Sequence, residues 1–569
     1  MPWPARLALV AFLASAAPGH AQTLPLPAQL PALPAAQQAH MDRDLLEIDI
    51  PRLHALYARH RYSVAEVTRW YLGRIARYNG IYRAVQTVDA EGALAIAARE
   101  DAQPPKARHG ALWGVPIVIK ANTAVQGLPD TDGWQGFALP GHAFVAAKDA
   151  TVVAKLRAAG AVILGITNMP DFAASDTNRS SAFGRTGNAY DVRYSPGGSS
   201  GGTVTAVTAN MALLGTGTDT ANSIRMPAGT SALVGLMPTR GLVSIAGIAP
   251  LDWLRDNTGP IARNVADAAV ALDAMAGEDP LDARTQGAAT RAQPGPYTAY
   301  LKQDALRGKR FGVPAFILDT RADEGSGDKP ARYVTLRPQT RAMLMAAIAQ
   351  LRAAGATVVI DDTLLPRAFL DAAAKVDTRP YRLDGTDRWL AAFGPADYRS
   401  AAEYAEHVGA PLPMTLTGTR TAADPVPEGR PAPPSVPQRR LADDPDAQAR
   451  YYAPQRAALA EYEAALDRLH LDGLIYPSAQ MPPPDETMPQ DGRLSGGPHS
   501  ETGWANRLGV PAIVVPAGFY PGGLPFGLEI AARPWRDGDL LGWAYAYEQA
   551  THARRPPVLV ERGLLPGAP

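Results

Sequence analysis

The chain has 569 residues, 46% hydrophobic and 19% charged, which is ample material for a large core. Its 55 Lys and Arg balance 55 Asp and Glu, so the charge points neither to nucleic acid nor to an anionic membrane as a partner. There is no cysteine, which excludes disulfides, zinc thiolates and a cysteine nucleophile.

In chain order, Arg6 precedes the apolar run Leu7–Ala14, and Gly19-His-Ala21 follows as a small-x-small cleavage site. This predicts a signal peptide over residues 1–21 and export to the periplasm or beyond. The apolar run is too short to span a bilayer. Residues 22–43, rich in Pro and Ala, predict an extended tether. A single domain is expected from 44 to 563.

From Asp44 to about Ala97 the pattern reads as helical, with Pro51 near the start of one helix and Ser63-Val-Ala-Glu66 as a capping box for the next. An α/β rhythm follows. Leu112–Ile119 predicts a buried strand, Asp149 is expected to cap a helix that Gly160 ends, and Ala161–Leu164 predicts the next strand. The phrase Leu-Arg-Ala-Ala-Gly-Ala recurs at 351–356 before Val358-Val-Ile360, so one helix–Gly–strand solution is used twice. Phe311–Pro314, Gly473–Tyr476 and Ala512–Pro516 predict further strands. The Pro-punctuated stretch 408–447 predicts a long loop or flap, with helix resuming over Ala447–Leu469. Strands alternating with helices imply an α/β fold, a sheet covered on both faces by helices.

Three words carry chemistry. Val115-Pro-Ile-Val-Ile-Lys120 ends an apolar strand in a lysine. Tyr194-Ser-Pro-Gly-Gly-Ser-Ser-Gly-Gly-Thr203 and Gly215-Thr-Gly-Thr-Asp-Thr-Ala-Asn-Ser-Ile-Arg-Met-Pro-Ala228 are two Gly/Ser-rich turns. A serine needs a base before it attacks, and glycines let a turn present its amides to an oxyanion. One lysine and two serines supply such an apparatus without histidine, metal or cofactor.

These words, with Gly165–Asp171, Gly259–Arg263, Pro238-Thr239 and Gly523–Gly527, resemble the amidase signature family over roughly residues 44–555. The resemblance implies the amidase-signature-type fold, a mixed twisted sheet between helices, and amide hydrolysis without a cofactor. It implies Ser223 as nucleophile, Ser199 as bridging serine on a cis peptide, and Lys120 as the base, which burial should keep neutral. It implies an oxyanion hole from the backbone amides of Thr220, Ala221 and Asn222, with Ser223 itself. Ser200, Asp219 and Arg225 are expected to hold the turns, and Asn168, Asp171 and Thr203 to be structural. The chain departs from the pattern at Ala221-Asn222, where glycines are usual, and at Lys120-Ala-Asn122, where Lys-Asp-Asn is commoner. Both departures are expected to tune rate or substrate choice.

Trp134, Phe137 and Phe172 are candidate pocket residues, and Trp504 is a further aromatic near the C-terminal strand. The expected partner is a small-molecule or peptide amide; a C-terminal peptide amidase, an aryl acylamidase or an esterase would be a subtype. An exported chain would not serve tRNA-dependent amidation. Two readings of other classes stay open. One is a weakened member kept as a binding protein. The other is a Ser-His-Asp esterase, since Gly197-Gly-Ser199-Ser-Gly201 also fits a nucleophile elbow, although His470, His499 and His552 sit in no matching motif. No His spacing suits a metal, and the glycines lack the Lys-Ser/Thr ending of a phosphate loop.

Overall fold

The apolar runs of the sequence come together as the strands of one large sheet. The computed structural model describes residues 33–104, 106, 110–319, 335–421, 424, 434–487 and 498–557. The expected signal peptide and the first part of the tether lie outside these. Among the described residues the strands are β1 Val85–Val88, β2 Val115–Lys120, β3 Ala161–Thr167, β4 Arg179–Ser180, β5 Gly184–Arg185, β6 Leu214–Asp219 and β7 Val234–Met237, then β8 Asn257–Ala262, β9 Arg310–Val313, β10 Thr357–Ile360, β11 Gly473–Pro477, β12 Ala512–Phe519 and β13 Pro525–Ala532.

Eleven of these form a mixed sheet in the order β1-β3-β2-β6-β8-β7-β12-β13-β11-β9-β10, while β4 and β5 pair alone. β3, β2 and β6 run parallel, as do β11, β9 and β10. The pairs from β6 through β8, β7, β12 and β13 to β11 are antiparallel. β2, β3, β6 and β8 are buried along their whole length; in β2 and β3 this goes with near-continuous apolar runs, while β6 and β8 fill the same depth with Gly and Thr. Helices flank the sheet, Gly201–Thr208 against β2 and β6, Val265–Met275 against β8 and Asp537–Thr551 against β12 and β13.

The Ser63 capping box and the helix-ending glycines are obeyed. Both bonds of the Ser63–Glu66 capping box form, at 2.8 and 3.1 Å. Gly160 and Gly355 end their helices at φ +91° and +94°, each just before a strand.

Four expectations are corrected. The tether gives way to helix Ala35–Leu45, because an Ala/Gln-rich start favours helix and Met41 and Leu45 find buried places. The helical stretch 44–97 is broken by β1, which completes the sheet edge antiparallel to β3. Asp149 does not cap its helix; Ala150 holds that position, and the Asp149 carboxylate instead takes the Gln126 amide and Arg157. The 408–447 stretch contains a helical turn, Met414–Thr417, and Arg439 donates its amide to the Pro380 carbonyl, so its described ends are part of the packed body.

Candidate active site

The site is assembled by the parallel pairing of β2 with β6. Ile117 lies opposite Leu214 and Val118 opposite Gly215, so Lys120 arrives beside Thr216 and Thr218. The Lys120 amide donates to Thr216 Oγ1 at 3.4 Å. Its Nζ lies 2.8 Å from Thr218 Oγ1 and 2.7 Å from Ser199 Oγ. Asn122 Nδ2 donates to the same threonine hydroxyl at 3.0 Å. Lys120 is wholly buried, and burial pushes its ammonium down to about 7, against the opposing pull of Asp132, Asp219 and Asp256.

Ser199 belongs to the loop that enters helix Gly201–Thr208, and the Gly198–Ser199 peptide is cis. This loop has no spare room. A Cβ on Gly198 would lie 2.5 Å from the Thr177 carbonyl oxygen, and one on Gly202 2.3 Å from that of Asn168. Gly202→Ala is therefore expected to destabilise the fold by about 1–3 kcal/mol. Urea unfolding measures this, and an unchanged midpoint would contradict the close approach.

Ser223 sits in the turn after β6, ahead of the short helix Arg225–Gly229, and is 6% exposed. The Ser200 amide donates to the Ser223 carbonyl at 3.2 Å and ties the two Gly/Ser turns together. Ser200 Oγ lies 3.5 Å from the Thr218 carbonyl oxygen. Thr203 Oγ1 donates to the Thr216 carbonyl at 3.0 Å, and Asn168 Nδ2 to the Gly184 carbonyl at 2.9 Å. Asp171 accepts the Ser181 amide at 2.7 Å.

A buried ion cluster shapes the second turn. Arg225, Asp219 and Glu529 are all inaccessible to solvent. Arg225 Nε and Nη2 donate to the two Asp219 oxygens at 3.1 and 3.2 Å, and Nη1 donates to Glu529. Arg225 also takes the Ala221 carbonyl, while Arg255 takes the Thr220 carbonyl at 2.9 Å. In a trans peptide the N–H points opposite to the C=O. Tying back these carbonyls therefore turns the amides of Ala221 and Asn222 the other way. Among the described residues no backbone carbonyl accepts from the amides of Ala221, Asn222 or Ser223. Asn222 Nδ2 donates to Asp176 at 3.3 Å.

The aromatics separate into two groups. Trp134 packs against Phe137 and Phe172, with centroids 5.1 and 5.3 Å apart. Phe137 is wholly buried and continues into Phe144, Trp389 and Tyr404, so it is part of the core. Phe172 is 6% exposed and Trp134 only partly buried. Trp504 packs with Phe369, Tyr462 and Tyr476.

Thr218, Asn122, Asp176 and Glu529 join the site without having been singled out from sequence. Thr218 lies inside a word already read, Gly217-Thr-Asp219, but only the pairing of β2 with β6 brings it to Lys120. Glu529 carries no local signal. Among the described residues no cluster of His, Cys, Asp and Glu suits a metal ion, and no helix is long and apolar enough to cross a membrane.

A family model described as Amidase matches residues 66–541. The chain is 34% identical over 535 residues to a glutamyl-tRNA(Gln) amidotransferase subunit of a Cyanothece species, covering 89% of this chain and 99% of that one. It is similar to the solved peptide amidase of Stenotrophomonas maltophilia, at 31% identity and TM-score 0.70 over 90% of this chain and 98% of the other. It also matches 6-aminohexanoate cyclic dimer hydrolase, at 26% identity and TM-score 0.68 over 90% and 99%.

Proposed function

This chain belongs to the amidase family and is an amide hydrolase, and from that premise we propose that it cleaves carboxamide C–N bonds through an acyl-enzyme on Ser223. The observation that carries the reading is the buried contact of Lys120 Nζ with Ser199 Oγ at 2.7 Å, in a loop tied to the Ser223 turn. With the amine neutral, Ser199 donates its hydroxyl proton to the Nζ lone pair while Thr218 accepts one of the remaining N–H bonds. As Ser223 Oγ attacks the carbonyl carbon, its proton passes to Ser199 and that of Ser199 to Lys120. The unbonded amides of the 221–223 turn receive the developing oxyanion. The C–N bond then breaks, and the departing nitrogen takes the proton back along the relay. Water enters by the same path and releases the carboxylate, restoring Ser223.

The substrate class is carboxylic amides or anilides, with esters as side substrates. C-terminal peptide amides stand first in the panel, supported by the similarity to a peptide amidase across nearly both chains. We also propose that the chain is exported, on the strength of Arg6, the Leu7–Ala14 run and Gly19-His-Ala21.

A fluorophosphonate probe and a panel of peptide amides, simple amides, anilides and esters test the reading together. The expected result is covalent labelling at Ser223 and turnover of at least one amide. Labelling at another serine would overturn it in favour of the nucleophile-elbow esterase, and an inert enzyme that takes no probe would favour a binding protein.

A further inference from the structure

Both Gly/Ser turns meet a third loop at the edge of the site. Residues 174–177 lie against Gly198, where an added Cβ would come within 2.6 Å of the Ser175 carbonyl oxygen and 2.5 Å of that of Thr177. The loop is braced from within, Ser175 Oγ standing 3.0 Å from Thr177 Oγ1 and accepting the Thr177 amide at 3.1 Å. From the middle of this loop the Asp176 carboxylate reaches the other turn and accepts from Asn222 Nδ2 at 3.3 Å. Asp176 therefore touches the residue before the proposed nucleophile, on a loop packed against the residue before the bridging serine.

The position borders solvent. Ala174 and Ser175 are exposed, and Asp176 and Thr177 are only partly buried. Burial pushes the Asp176 carboxyl up to about 6, with the Asn222 side chain pulling the other way, so it is ionised at about pH 8. Among the described residues no cation is paired with it. Asp219, on the far side of the same turn, is matched by Arg225. A negative charge beside a turn that receives an oxyanion opposes the reaction unless a cation lies close by. At Asp176 that cation is left for the substrate to bring.

We propose that Asp176 is a specificity-determining residue, its partly exposed carboxylate beside Asn222 selecting carboxamides that carry a cationic side chain, an ammonium or guanidinium, close to the scissile carbonyl. The inference rests on the Ser223 reading above and names the substrate charge that the same site prefers. Asn222 holds the carboxylate through one oxygen, and an ionised carboxylate has several further lone pairs to offer. An ammonium presents three N–H donors and a guanidinium five, so either can bond there while the carbonyl faces Ser223.

The test is kcat/KM at about pH 8 for the N-acetyl amides and anilides of lysine, norleucine and glutamate, with wild type and Asp176→Asn. The Asn oxygen still accepts from Asn222, so the variant removes charge and keeps shape. Wild type is expected to favour lysine over norleucine by about 5- to 10-fold, and norleucine over glutamate. In Asp176→Asn the three should converge, lysine falling and glutamate rising. Raised salt should narrow the wild-type spread in the same direction. A merely structural Asp176 would lower all three alike and keep their ranking. That result would overturn the inference, as would a wild type that does not favour lysine or that is labelled at Ser223 yet turns over neither lysine derivative. Absence of fluorophosphonate labelling at Ser223 would instead remove the nucleophile reading itself. Should Asp176→Asn not fold, Asp176→Ser is read in its place by the same criteria.

Discussion

Lys120→Met is expected to lower kcat/KM for the best amide by about 100- to 10,000-fold, with the fold retained. Methionine keeps the length and most of the volume of the side chain but removes the basic nitrogen. Ser199→Ala and Ser223→Ala should fall by comparable or larger factors, and the double variant Lys120→Met/Ser223→Ala should be little worse than Ser223→Ala alone, since relay members act as a unit. The wild-type profile should rise with pH through about 7, because only the neutral amine accepts a proton and burial holds Lys120 near that value. Stability carries a second signature. The folded lysine titrates near 7 and the unfolded one near its ordinary value of 10.5. Between those limits the unfolded chain binds more protons, so stability rises with pH across that window. Below it the buried ammonium costs most. Lys120→Met should therefore remove that slope and raise the thermal midpoint most on the acid side. Steady-state kinetics and thermal melts across roughly pH 5.5–10 read both effects. Undiminished turnover by Lys120→Met would show that the proton leaves Ser223 by another route.

Arg225→Met is expected to cost about 3–5 kcal/mol of unfolding free energy. The arginine is inaccessible to solvent, and removing it leaves Asp219 and Glu529 buried without their cation. Glu529 feels this most. Burial already pushes its carboxyl up to about 7 even with Arg225 beside it, and its remaining hydrogen-bond donor is Tyr476 at 2.8 Å. Adding Glu529→Gln to Arg225→Met should recover part of the loss, because one uncompensated charge is gone. Activity should fall in both, since Arg225 also holds the Ala221 carbonyl and so the direction of the neighbouring amides. Urea denaturation of the single and double variants measures the coupling. A loss below about 1 kcal/mol, the range of exposed pairs, would mean that the cluster does not organise the turn.

These two predictions differ in how far each was legible beforehand. Lys120, Ser199 and Ser223 each stood in a word whose residue types suggested a role. Arg225 and Asp219 stood in such a word too, but Glu529 lies 304 residues from Arg225 and sits inside a strand that no turn or period had marked. Ala150 at the N-cap shows the converse at short range. A capping residue was expected one position earlier, yet the Asp149 carboxylate found stronger partners in Gln126 and Arg157.

What the sequence determined by itself was local chemistry: continuous apolar strands, a capping box at Ser63, glycines ending helices at Gly160 and Gly355, and the lysine and serines at their turns. Such signals arise within one turn or one strand, where neighbours in the chain are neighbours in space. The tertiary structure alone decided that Lys120 is buried, that Thr218 shares its amine with Ser199, that β1 closes the sheet edge, and that Glu529 completes the Arg225 cluster. Those outcomes depend on burial and on the pairing of distant strands. The energy of a charge is set by the dielectric and the partners around it, not by the residues beside it in the chain.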